Sequence, residues 1–232
     1  MFAVPNRDIP ILFSFICIIY LSKNYLPEIP KFGKNCQIYH FQRKESSLAH
    51  LFLDNLKGIE IGGSLINPFC LNTINVDFTN GTKTGYKKSE LRYSKGGYLN
   101  VDVVASGDKL PFKNESYDFV ISSHAIEHFF DPIKTIEEWF RVIKINGYIF
   151  MTIPHKERTF DRLKNRTTLN ELLLRHNGTY YDGPDDGHHN IWITEDVMEL
   201  CRNRNWTVVA WLDKDDVFGN GFTIALQKNK YL

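Results

Sequence analysis

Cysteine is scarce and scattered in this chain: Cys17, Cys36, Cys70 and Cys201 stand far apart, with no C-x-x-C pair among them. That spacing excludes a disulfide framework and a zinc knuckle, and predicts reduced, packed thiols. Charge of one sign is also missing. With 28 basic against 27 acidic residues the formal charge is +1, so no chain-wide field draws the protein to nucleic acid. No repeat and no low-complexity run appears. Long apolar runs are absent too, the nearest being Ile9 to Leu21, between Arg7-Asp8 and Lys23. As a helix rising about 1.5 Å per residue, that run falls short of a hydrocarbon core of about 30 Å. A helix packed on the domain or a partner, a membrane anchor and a signal-peptide core all stay open for it, although a basic n-region and a small-x-small cleavage site are both lacking.

What is present suits one α/β domain with a modest extra element: 232 residues, 43% hydrophobic and 14% aromatic. Residues 1–34 form an apolar segment and a linker carrying Pro27, Pro30 and Gly33. Residues 35–232 form the domain proper, with an insertion at about 154–192.

Apolar residues recur at helical spacing from Glu45 to Leu56 and stop at Lys57-Gly58. Strands are expected at Ile59–Ile61, Thr73–Phe78, Tyr98–Val104, around Phe119–Ile121 and at Tyr148–Ile153, with a short polar helix at Tyr86–Tyr93. Asp131-Pro132 caps a helix that Ile133, Ile136, Trp139, Phe140 and Ile143 carry on one face, and Asn146-Gly147 ends it. A further helix starts at Thr194. Trp206–Leu212 and Phe222–Gln227 read as a closing hairpin. Alternation of this kind implies a parallel sheet, with the hairpin adding an antiparallel strand.

Each early strand ends in residues suited to a ligand, and in an open α/β sheet that edge is where ligands bind. Gly62-Gly63-Ser64 allows backbone N–H groups to approach without a Cβ in the way. Asp77, closing the second strand, can accept two hydrogen bonds from a ribose diol. Asp108, after the third, can accept from an exocyclic amine, with Leu110-Pro-Phe112 as a wall for a base. The site reads as one for a nucleotide-like cofactor.

On these motifs the chain resembles the class I S-adenosylmethionine-dependent methyltransferases. Tyr117-Asp-Phe-Val120, Ser122-Ser-His-Ala-Ile-Glu-His128, Asp131-Pro132 and Arg141-Val-Ile-Lys-Ile-Asn-Gly147 stand in the family's order, from about Lys57 to Ile153. The resemblance implies a Rossmann-like three-layer α/β sandwich, a mostly parallel seven-stranded sheet with an antiparallel C-terminal hairpin strand. It implies S-adenosylmethionine as cofactor, with Glu60, Gly62 and Gly63 at its methionine end, Asp77 at the ribose, Asp108 at the adenine amine, and Ser123 and His124 along the sulfonium side. One departure is Ser64, where the family usually has a glycine. The stretch Glu60-Ile-Gly-Gly-Ser-Leu-Ile-Asn-Pro-Phe69 is similar to glycan-associated members.

His124-Ala-Ile-Glu-His128 also matches the inverted zinc-protease pattern H-x-x-E-H. That pattern needs a long helix, whereas a strand feeds into His124 and Pro132 follows closely, so no metal is assigned on it. The insertion carries His155, His176, His188, His189, Asp161, Asp182, Asp185 and Asp186, and is placed over the cofactor mouth as the acceptor-binding cap. Arg158, Arg162, Arg166 and Arg175 there suit a solvated helix face first, and the phosphate or carboxylate groups of an acceptor second.

A sugar hydroxyl needs a base near neutral pKa, and His155, just beyond the fifth strand, is the first choice, with His188 second. A metal on Asp185, Asp186, His188 and His189 is the alternative. The expected function is O-methylation of a sugar or similar hydroxylated small molecule. The rivals are C-methylation of a quinone-like ring, an NAD-dependent dehydrogenase (for which the intact G-x-G-x-x-G is missing) and a non-catalytic cofactor-binding protein. The partner is a small-molecule or glycan acceptor. A cytoplasmic protein, or one held at a membrane by residues 9–21, is expected.

Overall fold

The computed structural model describes residues 46–63, 69–81, 83–84, 87–88, 101–179 and 187–230. The apolar segment Ile9–Leu21, the linker, Ser64, the expected polar helix at Tyr86–Tyr93 apart from residues 87–88, and Asp182, Asp185 and Asp186 lie outside them.

Helix α1 (Ser47–Leu53) starts where the Ser46 hydroxyl accepts from the Ala49 N–H at 3.0 Å. Strands β1 (Gly58–Ile61), β2 (Thr73–Asp77) and β3 (Val103–Val104) follow, then β4 (Tyr117–Ser123). Helix α2 (Pro132–Val142) has the expected Asp131 cap, whose carboxylate accepts from Lys134 N–H at 2.9 Å. It gives way to β5 (Ile143–Pro154), four residues before the predicted stop at Gly147. Ile143 turns extended there because its backbone pairs with Tyr117 while its side chain is fully buried.

Helix α3 (Leu169–His176) lies inside the insertion, for which no helix bounds were predicted. Its start is a capping box: Thr168 Oγ1 accepts from Glu171 N–H, and the Glu171 carboxylate accepts from Thr168 N–H at 2.7 Å. Helix α4 (Thr194–Asn203) and the hairpin β6 (Thr207–Leu212) and β7 (Gly221–Gln227) complete the chain.

The seven strands lie in the order β3-β2-β1-β4-β5-β7-β6, parallel except for β7, which runs against both β5 and β6. This is the expected mostly parallel sheet with a reversed hairpin strand. Period-two alternation divides its side chains between two cores. Val120, Ile149 and Met151 face α2 and α4, with Trp139 and Leu200, while Phe119, Ile121 and Phe150 face α1, with Leu48 and Leu53. Because β1 to β5 are parallel, their C-terminal ends share one edge. Among the described residues no helix is long and apolar enough to cross a membrane. Cys201 is a buried free thiol as predicted, but Cys70 is disulfide-bonded, its partner outside the described residues, which corrects the expectation of four reduced cysteines.

Candidate active site at the C-terminal edge of the sheet

At the end of β1 the backbone turns through Gly62, whose φ of +66° favours glycine, while its N–H donates to Val76 O at 2.9 Å. A Cβ on Gly63 would lie 2.7 Å from Glu60 Cγ and 2.9 Å from Asn75 Oδ1, so this cradle stays open only because Gly63 has no side chain. Glu60 is buried beneath it and accepts from Thr73 Oγ1 at 3.1 Å. Burial pushes its carboxyl up to about 8, against the Thr73 hydrogen bond. A buried carboxyl in this state ionises at low cost only when a cation comes to face it.

Asp77, at the end of β2, is buried and already paired: Lys87 Nζ donates to its Oδ2 at 2.7 Å. The sequence reading missed Lys87, which had only a polar stretch to mark it. Asp108 sits beyond β3 with Ser106 Oγ and Lys134 Nζ donating to its carboxylate. Burial raises its pKa, but those two donors outweigh burial and hold the carboxylate below its ordinary range. Its loop is clamped from α2: Arg141 donates to Leu110 O (3.1 Å), Phe112 O (2.8 Å) and Asn114 Oδ1 (2.8 Å), and Leu110 N–H donates to Glu138 Oε1 (2.7 Å).

β4 delivers Ser123 and then His124, whose φ is +51°. A non-glycine residue held there signals a built constraint. The chain continues into a 3-10 turn, Ile126–His128, so H-x-x-E-H does not lie along a helix. Glu127 is fully buried and neither carboxylate oxygen has a hydrogen-bond partner. Three imidazole nitrogens face its Oε1 at 3.9 Å each: His124 Nδ1, His128 Nε2 and His188 Nε2. Burial pushes the Glu127 carboxyl up to about 8 and His124 down to about 4, and lowers His128 as well.

His188 comes from the insertion, placed by a network that begins on α3. Asn190 N–H donates to Glu127 O (3.1 Å) and Asn190 Nδ2 to Phe129 O (2.7 Å), while Arg175 donates to Asn190 Oδ1 (3.0 Å). The far nitrogens of the rings are engaged: His128 Nδ1 donates to Gly187 O at 2.9 Å, and His188 Nδ1 lies 2.6 Å from Asp161 Oδ2. Asp161, raised by burial but lowered further by Lys164 and His188, stays below the ordinary carboxylate range.

His155 stands apart from this group. It is buried at the end of β5, its Nδ1 accepts from Glu157 N–H at 3.1 Å, and its ring meets Phe222 edge-on. That leaves the proton on Nε2, 3.9 Å from Asp213 Oδ1. The strand bridge between His155 and Trp192 ties the insertion back to the sheet edge. Two of the insertion's arginines form ion pairs, Arg166 with Asp196 and Arg158 with Asp213.

Residues 63–151 match the family model described as a methyltransferase domain. Over that stretch the chain is similar to the methyltransferases. The match runs from Gly63 through β2, β3 and β4 into β5, and leaves out Glu60 and Gly62 among the residues predicted to hold the cofactor. A mitochondrial 2-methoxy-6-polyprenyl-1,4-benzoquinol methylase of Leishmania donovani is 39% identical over 62 residues, 26% of this chain and 22% of that protein. The uncharacterized protein MJ1123 of Methanocaldococcus jannaschii is 32% identical over 136 residues, 57% of this chain and 60% of that protein. The matched stretches thus span about a fifth and three fifths of these relatives. Among solved structures, the [4+2]-cyclase SpnF aligns with a TM-score of 0.50 and 13% identity, covering 78% of this chain and 79% of that one, a likeness of fold alone.

Proposed function

We propose that this protein methylates a hydroxyl of a sugar or similar small molecule, using S-adenosylmethionine. The observation that carries the reading is the row of carboxylates and glycines at the ends of β1, β2 and β3, beside the imidazoles that follow β4. Bound there, S-adenosylmethionine supplies an electrophilic methyl group. Glu60 with the Gly62-Gly63 cradle takes the methionine end, Asp77 the ribose and Asp108 the adenine amine. Ser123 and His124 line the sulfonium side.

Activation of the acceptor hydroxyl falls to the centre of Glu127, His128 and His188 rather than to His155. His188 Nε2 faces the site, whereas the acceptor nitrogen of His155 is used by Glu157 N–H. Positioning the hydroxyl in line with the methyl supplies much of the rate.

C-methylation of a quinone-like ring is the second reading. Phe160, 76% exposed beside the His188 ring, and Leu163, 89% exposed in the same short 3-10 turn, offer apolar surface to such an acceptor, and the Leishmania relative is named for that substrate class. Radiolabelled methyl transfer to purified glycans and to quinols, with mass spectrometry for one added methyl, separates the two. Labelled quinol carbon with unlabelled sugars would overturn the first reading.

A further inference from the structure

We propose that Glu127, His128 and His188 bind one divalent transition-metal ion next to the site of methyl transfer. One ligand atom from each lies within 4.8 Å of the others. An ion with bonds of about 2.0–2.2 Å sets its ligand atoms roughly 3 to 4.4 Å apart, so the 3.9 Å between Glu127 Oε1 and each Nε2 needs only small closure.

The two Nδ1 contacts decide what the Nε2 atoms can do. A carbonyl can only accept, so Gly187 O fixes the proton of neutral His128 on Nδ1 and leaves Nε2 with its lone pair toward Glu127. The Asp161 carboxylate orients His188 in the same way. Carboxylate and carbonyl acceptors behind metal-bound imidazoles are the usual outer support of such sites.

Glu127 supplies the independent observation. It is wholly buried, both its oxygens lack hydrogen-bond partners, and imidazole lone pairs face it. A buried polar group left in this state is costly, and a cation between the three side chains removes the cost. Arg175 and Asn190 hold the segment at 187–190 against the turn at 126–128, so the site is pre-assembled from chain segments sixty residues apart.

Two imidazoles and one carboxylate favour ions of the manganese-to-zinc series over Mg²⁺ or Ca²⁺, which prefer all-oxygen sets. The arrangement also differs from the protease pattern in H-x-x-E-H. Here Glu127 is itself a ligand, and His188 replaces His124, which stays at the rim with its Nδ1 3.9 Å from Glu127 Oε1. The His128 side chain is 31% exposed, which leaves an open side for an acceptor oxygen.

The role of the ion rests on the methyltransferase reading. It binds the acceptor hydroxyl and lowers its pKa, so that the proton passes to solvent. The O–CH₃ bond then forms as the S–CH₃ bond breaks, and the positive sulfonium ends as a neutral thioether.

The test is calorimetric titration of the chelator-treated full chain with Zn²⁺, Mn²⁺ and Mg²⁺, with S-adenosylhomocysteine affinity measured in parallel. Wild-type protein should take up one equivalent of Zn²⁺ or Mn²⁺ and bind Mg²⁺ far more weakly. Glu127→Gln and His188→Ala should each weaken uptake by 10²-fold or more, and Asp161→Asn by about 10–100-fold. Wild-type uptake well below one equivalent, equal affinity for Mg²⁺, or folded variants that bind like wild type would overturn the site. Stoichiometry in wild type keeps the test decisive if a variant does not fold. Retained S-adenosylhomocysteine binding without metal uptake would remove the metal alone. Metal uptake without cofactor binding would leave the site standing and remove the methyltransferase role.

Discussion

Lys87 Nζ lies 2.7 Å from Asp77 Oδ2, with the two side chains only 3% and 5% exposed. The residue proposed to hold the cofactor ribose is therefore also half of a buried ion pair, and its two roles separate by substitution. Removing one partner of a buried pair leaves the other charge without its counter-ion, at about 3–5 kcal/mol. Asp77→Ala should lower the melting temperature by on the order of 10 °C in a chain of this size. Asp77→Asn with Lys87→Met should recover most of that loss while S-adenosylmethionine affinity stays about 1–3 kcal/mol weaker. Calorimetry giving wild-type affinity in the folded double variant would take Asp77 out of the site.

Glu60 makes a prediction about protons. Its pKa rises from 4.5 in the unfolded chain to about 8 in the fold, so between those values the folded state holds a proton that the unfolded state releases. Its contribution to stability is complete below about pH 4.5, declines as pH rises, and is lost above about pH 8. Glu60→Gln cannot ionise, so denaturant unfolding should show a flatter stability profile from pH 5 to 8 than wild type. If the cofactor ammonium sits on the carboxylate, binding at pH 7 expels a proton. Calorimetry in two buffers of different ionisation enthalpy should detect up to one proton released by wild type and none by Glu60→Gln. Equal release from both would place the ammonium elsewhere.

The carboxylates at the strand ends were legible because each sits at a fixed point of a β-rich run, and the family's motif order pointed to them. The Asp131 cap of α2 was equally plain. Thr168-Leu-Asn-Glu171 is a capping-box signature followed by leucines, the local signal for helix α3. The surrounding Arg and Asn drew the segment toward a loop reading. The centre around Glu127 was legible only in pieces, H-x-x-E-H and His188, and not as one group. His188 reaches it only through Asn190 and Arg175, whose hydrogen bonds span residues far apart in the chain. The end of a fifth strand marks His155 as a place for a base, while the engagement of its Nδ1 by Glu157 N–H is a fact of three-dimensional geometry.

Deletion of residues 1–23 should leave S-adenosylmethionine affinity unchanged, since the proposed cofactor residues run from Glu60 to His124. If the segment anchors the protein, the full-length chain should pellet with membranes and the truncated chain should not. A truncated chain that unfolds would show instead that Ile9–Leu21 packs on the domain.

His155 and His188 give the sharpest contrast. His155 is nearly buried, accepts a backbone hydrogen bond and stacks edge-on against Phe222, so its work is to fix the turn that launches the insertion. His155→Asn retains a side-chain oxygen able to accept from Glu157 N–H, and asparagine is a good residue at such a cap. Turnover should therefore stay within a few-fold of wild type, with a modest fall in melting temperature. His188→Ala removes a nitrogen 3.9 Å from Glu127 and should cut turnover by about 10²–10⁴-fold. Its cofactor affinity should be nearly unchanged, because the proposed cofactor contacts lie on β1 to β4. A large loss in folded His155→Asn, with His188→Ala active, would return the base to the end of β5.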